Sequence, residues 1–166
     1  WARFDGASLT EVTGELALAD VQLRLAPDLP QLELVSLSGR ITAEHLSRNQ
    51  VKASARQLQL VTRSGVRVKP TSLDVKWQAA LDGRPEQGDL SASTLDLEAL
   101  TRLSAYIPLP EALRSRLQRQ APNGWLNELD AGWTGSLSAP DAFRLSVRLD
   151  RVGVSADGDL PGVAGL

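Results

Sequence analysis

Few side chains in this chain of 166 residues have a type and setting suited to chemistry. His45 is the single histidine and cysteine is absent, so the sequence holds no Cys–His pair and no multi-histidine metal set. His45 also falls on the apolar phase of an alternating segment, where a structural role is expected. Acidic pairs such as Asp82 with Asp89 have the residue type of a glycosidase dyad. A domain with 20 acids offers many such pairs, however, and nothing around these two marks a general acid. Asp157, Gly158 and Asp159 hint at calcium by type alone; the spacing of a calcium loop with its closing glutamate is missing, so a turn is expected. No catalytic residue, no metal site and no cofactor are read from the sequence, and the chain is expected not to be an enzyme.

Arg114, Arg116 and Arg119 are a different kind of candidate. On a helix they have the chemistry to meet anionic lipid headgroups. A solvated basic face complementing a helix C-terminus explains them equally and more simply. Elsewhere the charge is balanced, with 18 Lys and Arg against 20 Asp and Glu, spread along the chain, which leaves no electrostatic footprint for nucleic acid. Aromatic residues make up 4% of the chain, too few for a base-stacking or sugar-stacking platform. The missing cysteines exclude disulfides and leave the redox compartment open. No apolar run approaches the roughly 20 residues that span a bilayer, and no signal peptide is visible.

The elements that would position any site are mostly strands. Val21, Leu23 and Leu25 alternate with Asp20, Gln22 and Arg24, and Pro27 and Pro30 then interrupt the run. Val35, Leu37, Ile41 and Ala43 share the next apolar phase, and Ser47 to Gln50 supply a turn. The apolar phase shifts between Ala55 and Leu58, which predicts a β-bulge. A short segment from Val66 is expected to end at Pro70, followed by a clean alternation of Leu73, Val75, Trp77, Ala79 and Leu81. Beyond position 122, Leu129, Ala131, Trp133 and Leu137 form another one-sided strand. Phe143, Leu145, Val147 and Leu149 follow, and the phase flips to Val152, Val154 and Ala156.

One stretch breaks the period of two. Asp96 is placed to cap a helix carrying Leu97, Leu100, Leu103 and Ile107, with Pro108 ending it. Pro110 and Glu111 open a second helix, with Leu113 and Leu117 four apart on one face, and Pro122, Asn123 and Gly124 stop it. The hairpin is expected to dock on the sheet through Leu100, Leu103, Leu113 and Leu117, since each helix is too short to persist alone.

The expected fold is therefore mainly β: an antiparallel, strongly curved, one-sided sheet, either a groove or a partly closed sandwich or barrel, with a short two-helix insert. Residues 1–95 form the first β segment, 96–121 the helical hairpin and 122–166 a further β segment of the same domain. The start at Trp1, without any Met in the chain, suggests a fragment of a longer protein. Each buried Leu or Val contributes about 1.5 to 3 kcal/mol, so the aliphatic face must meet a helix, a second layer or an apolar ligand. Two short helices cover only part of it. A lipid-accommodating groove and a closed sandwich with a dry core both remain open on these grounds.

Tyr106 to Val154, YIPLPEALRSRLQRQAPNGWLNELDAGWTGSLSAPDAFRLSVRLDRVGV, resembles the YhdP family of large AsmA-like bacterial proteins. The resemblance lies in an order of features: IPLP, a basic helix, APNG, the strand LDAGWTG, then AP and an alternating strand with an aromatic near its start. GELALADVQLRLAPDLPQLELVSLSGRI, TSLDVKW and LDLEAL extend it over nearly the whole chain. Asn123 and Trp125 depart from the more polar choices expected around the glycine. The resemblance implies a periplasmic protein anchored in the inner membrane, whose β-sheet curls into a hydrophobic groove implicated in phospholipid transport between inner and outer membranes and in the outer-membrane barrier. Its partners would be phospholipid acyl chains, with other envelope proteins as a second class of candidate. Lipid-facing candidates are Val35, Leu37, Ile41, Val75, Trp77, Trp133, Leu145 and Val147. The competing reading is a non-enzymatic scaffold module with a closed apolar core.

Overall fold

The computed structural model describes residues 1–5, 8–47, 49–136, 139–156, 162, 164 and 165. The alternating segments form β1 (Ala2–Asp5), β2 (Ser8–Leu23), β3 (Leu32–Ser47), β4 (Gln50–Thr62), β5 (Arg67–Gln78), β6 (Gln87–Asp96), β7 (Asn123–Ser136) and β8 (Ala139–Gly153). They pair antiparallel in chain order as one eight-stranded sheet, with β1 and β8 at its edges and no closure into a barrel. Two helices, α1 (Leu97–Leu103) and α2 (Glu111–Gln120), interrupt the connection between β6 and β7. Those strands still pair across the insert, Ala92 with Leu129 and Leu90 with Ala131, so the sheet runs on past the helices.

Side chains of directly paired residues share a face, so the ladder register assigns the faces. One row runs Ile41, Ala55, Leu73, Ala92, Leu129 across five strands. The next runs Ala43, Ala53, Val75, Leu90, Ala131, Leu145, and the one after it His45, Val51, Trp77, Gly88, Trp133, Phe143. The opposite face carries cross-strand ion pairs: Arg40 with Glu15, Lys52 with Glu44, Arg56 with Asp74, and Arg144 with Asp89. The sheet is one-sided, apolar against polar.

Bulges keep that apolar face continuous where the sequence phase changes. The shift between Ala55 and Leu58 is a register break in the β4–β5 ladder, with Gln57 at a φ of 51°. Opposite it on β3, a Cβ added at Gly39 would lie 2.9 Å from the Leu58 Cα, so the bulge needs glycine there. The flip after Leu149 has the same cause: Arg151 has a φ of 52°, and the β7–β8 register shifts between Asn123 and Trp125. Asp20 and Glu128 take the same left-handed conformation within β2 and β7.

The helical stretch follows its caps. The Asp96 side chain accepts a hydrogen bond of 3.0 Å from the Ala99 backbone N–H, as a capping aspartate does. α1 stops at Leu103, before Ile107 and Pro108, because Ser104 takes the C-cap and its hydroxyl donates to the Thr101 carbonyl. α1 buries Leu97, Ala99 and Leu103, whereas α2 buries no residue and leaves Leu113 44% exposed. The hairpin is thus held to the sheet by α1, and the expected docking through Leu113 is corrected. Arg114 is also not a solvated charge. It is half-buried and donates to the Ser104, Ile107 and Leu109 carbonyls at 3.1, 3.4 and 3.4 Å, satisfying the turn between the helices.

Pro70 does not end a strand, since β5 runs through it. It is tolerated because Lys69 and Pro70 pair with neither neighbour, the β5–β6 ladder reaching no further than Leu73 with Ala92. Beyond that point side chains do the joining: the Ser72 amide donates to the Ser93 hydroxyl at 2.9 Å, and the Thr71 hydroxyl donates to the Thr94 carbonyl. The chain past Leu23 leaves the sheet, so Leu25 is exposed in the turn before β3.

A candidate apolar binding face

The apolar face divides into an end covered by α1 and an end left bare. At the covered end Leu32, Leu34, Val66, Ala99 and Leu103 form the core, with Val21, Leu23, Leu37, Leu60, Val68 and Tyr106 packed around it. Leu34 is 1% exposed. At the bare end the same face leaves Val75 and Trp77 38% exposed, Leu145 54% and Phe143 59%. No helix or second sheet lies there among the described residues.

Between the two ends, α1 and the splayed part of β5 and β6 enclose an apolar cavity of about 510 Å³. Leu58, Leu60, Val68, Leu73, Leu100, Ile107 and Trp125 contribute apolar surface to its wall. Leu73 lines the cavity and stands two positions along β5 from Val75, so the cavity is continuous with the bare face. Its polar wall groups are largely spent, Asp96 on the helix cap and Thr71 on the Thr94 carbonyl. Lys69 is the cation of this wall, its amine 4.8 Å from the centre of the Trp125 ring.

The structure brings Ile41, Val75, Trp77, Trp133 and Leu145 onto the bare end of one face. Leu37 pairs with Leu18 and Leu60 on that face and packs toward the covered end. Val147 follows Leu145 at alternate spacing and is half-buried, at the register shift between Asn127 and Asp130. Val35 is not gathered with the others. It is exposed at the shift between Leu34 and Ser36, where β3 carries one residue more than β4. Two tryptophans anchor the bare end. The Trp77 indole N–H donates to Glu86 at 3.1 Å, and Trp133 lies against Gly88, where an added Cβ would fall 2.0 Å from the ring.

Sequence reading missed the cavity wall, Leu58, Leu60, Val68, Leu100 and Trp125 together with Lys69. Its signal was indirect: the phase shift at Gln57 and the proline in β5 mark where the sheet kinks and splays.

The polar candidates fall elsewhere. Asp89 pairs with Arg144 at 3.2 Å on the outer face, and Asp82 sits in the β5–β6 connection with a φ of 49°. His45 is exposed and pairs with Val51. Among the described residues no group of three or more His, Asp or Glu is placed to hold a metal ion. Asp157, Gly158, Asp159, Leu137 and the turn position Arg48 lie outside the described residues. On the outer face, the hydrogen bond from Arg40 holds the Glu15 carboxyl below its ordinary range, and the bond to Asp74 pushes the Arg56 guanidinium up. Both groups belong to strand-to-strand ion pairs and lie on the face turned away from the cavity.

An open antiparallel meander with one apolar face, part of it exposed, defines a class of β protein whose apolar surface is not all buried in a core. The family model described as YhdP protein matches residues 1–166, the whole of the sequence, and the chain belongs to the YhdP family. Comparison with curated proteins and with solved structures returns no match. No helix among the described residues is long and apolar enough to cross a membrane.

Proposed function

We propose that this chain is one section of a hydrophobic β-groove that carries phospholipid acyl chains in the periplasm between inner and outer membranes, within a protein anchored in the inner membrane. One observation carries the reading: the bare apolar rows of Val75, Trp77 and Leu145 adjoin, through Leu73, an apolar cavity of about 510 Å³. An apolar face of this kind is normally covered by a partner or a ligand. Aliphatic side chains in parallel rows suit a flexible hydrocarbon chain, which needs contact area but no directional bonds. The family membership agrees with this role. The protein's part is binding and guidance, without catalysis.

Photo-crosslinking tests it. A photoreactive residue is placed at Val75 or Leu145 of the full-length protein in cells, and at Lys76 or Arg144 on the outer face as controls. Phospholipid attached at the first two positions and absent from the second two is the expected result. Equal labelling of both faces, or none on either, would sink the groove and leave the scaffold reading, in which the apolar face meets only protein.

A further inference from the structure

From the cavity wall we infer that the space beside α1 is a seat for one acyl chain of a phospholipid, with its anionic headgroup at Lys69. This rests on the groove reading and adds a fixed position and direction to it. A cavity of about 510 Å³ with a largely apolar lining has room for a hydrocarbon chain, which needs contact area and no directional bonds. Val68, Pro70 and Leu73 on β5, Leu58 on β4 and Leu100 on α1 give the wall its apolar surface.

Charge sets the direction. The Lys69 amine stands over the Trp125 ring, and among the described residues no carboxylate pairs with it. An ammonium held by an aromatic face keeps its donors available, which suits a phosphate oxygen. Lys69, Thr71 and Leu73 follow one another at alternate positions along β5 in the cavity wall, with Trp125 against Lys69 and Val75 next after Leu73. A lipid seated this way has its phosphate at Lys69 and its chain directed toward the bare end. Trp125 serves as the amphipathic side chain between headgroup and hydrocarbon.

The test uses the full-length protein in cells with a photoreactive residue at Leu58, inside the cavity, and separately at Val75, on the bare face. The captured lipid is extracted and weighed by mass spectrometry. Phospholipid at both positions is expected. Leu100→Trp, which fills the cavity, should abolish capture at position 58 and preserve it at 75. Lys69→Glu should lower capture at 58 about tenfold, the size expected for turning one charge-assisted contact into repulsion, while Lys69→Arg restores it. Lys69 is exposed and outside the buried core, so these two variants keep the test decisive if Leu100→Trp fails to fold. Capture at 75 without capture at 58 overturns the seat and leaves the groove standing. No capture at either position overturns both. Free fatty acid in place of phospholipid at 58, or indifference to Lys69→Glu, overturns the headgroup assignment.

Discussion

The covered and bare ends of the apolar face are built from the same residue types on the same strands, yet they bury very different fractions of themselves. Leu34 on β3 is 1% exposed under α1, and Val75 on β5 is 38% exposed with no helix or second sheet over it among the described residues. A seven-residue helix produces the difference, because its Ala99 and Leu103 close the core over Leu32, Leu34 and Val66. The buried core is therefore concentrated at one end, and the other keeps its apolar side chains partly exposed. A uniformly covered sheet would be a sandwich; a uniformly bare one would lack a core.

The largest effect that separates the ends comes from matched truncations. Leu34→Ala should cost about 2 to 5 kcal/mol, since the site cannot collapse around the cavity it leaves. Val75→Ala should cost less than about 1 kcal/mol, because much of that side chain is already in water. Denaturant unfolding of the two variants measures both. Equal losses would break the comparison and show the bare face to be covered core.

Within the bare end, Trp133 against Gly88 should be the tightest contact. Gly88→Ala places a Cβ 2.0 Å from the ring, so the indole must move or the strands must part. Overpacking of this kind costs typically about 1 to 3 kcal/mol. Near-ultraviolet circular dichroism should show the altered tryptophan environment, and an unchanged spectrum would show the bare end to be loosely packed.

Removing the cap tests what holds the cover in place. Asp96→Ala deprives the Ala99 amide of its acceptor and should cost about 0.5 to 2 kcal/mol. Hydrogen exchange should rise in α1 and in the Leu32–Leu34 segment beneath it, while the Val75 rows keep their protection. Uniform loss across the sheet would mean that the two ends open as one unit.

Much of this contrast was legible in the residues, and the illegible part has a physical cause. Alternation of apolar and polar side chains gave the strands and the one-sided sheet, and the switch from Ala55 to Leu58 marked the bulge at Gln57. The same switch occurs from Leu18 to Val21 and from Leu126 to Leu129. There Asp20 and Glu128 take the same left-handed backbone within continuous strands. Proline removes a ladder donor, which predicts a strand end at Pro70; it is accommodated because Lys69 and Pro70 have no ladder partner on either side. The spacing of Leu113 and Leu117 fixed a helix face but not its neighbour, since packing depends on how the sheet curves. Lys69 and Trp125 are 56 positions apart and meet only because β5 and β7 both flank β6.

The smallest expected effect concerns the outer face, where the sheet is held by ion pairs rather than apolar contact. The Arg40 hydrogen bond holds the Glu15 carboxyl below its ordinary value of 4.5. A carboxyl with a depressed folded value stabilises the fold above the ordinary carboxylate range, and that contribution is lost as pH falls through the folded value. In Arg40→Ala the Glu15 titration, followed by NMR, should therefore move up to the ordinary range, and the acid limb of unfolding should shift slightly with it. Because both partners are exposed, solvent screens the pair and the change in stability at neutral pH should be slight. A large loss at neutral pH would place the fold's stability on the outer ion pairs of β2 and β3. The difference between the covered and bare ends would then no longer follow from what lies over the apolar face.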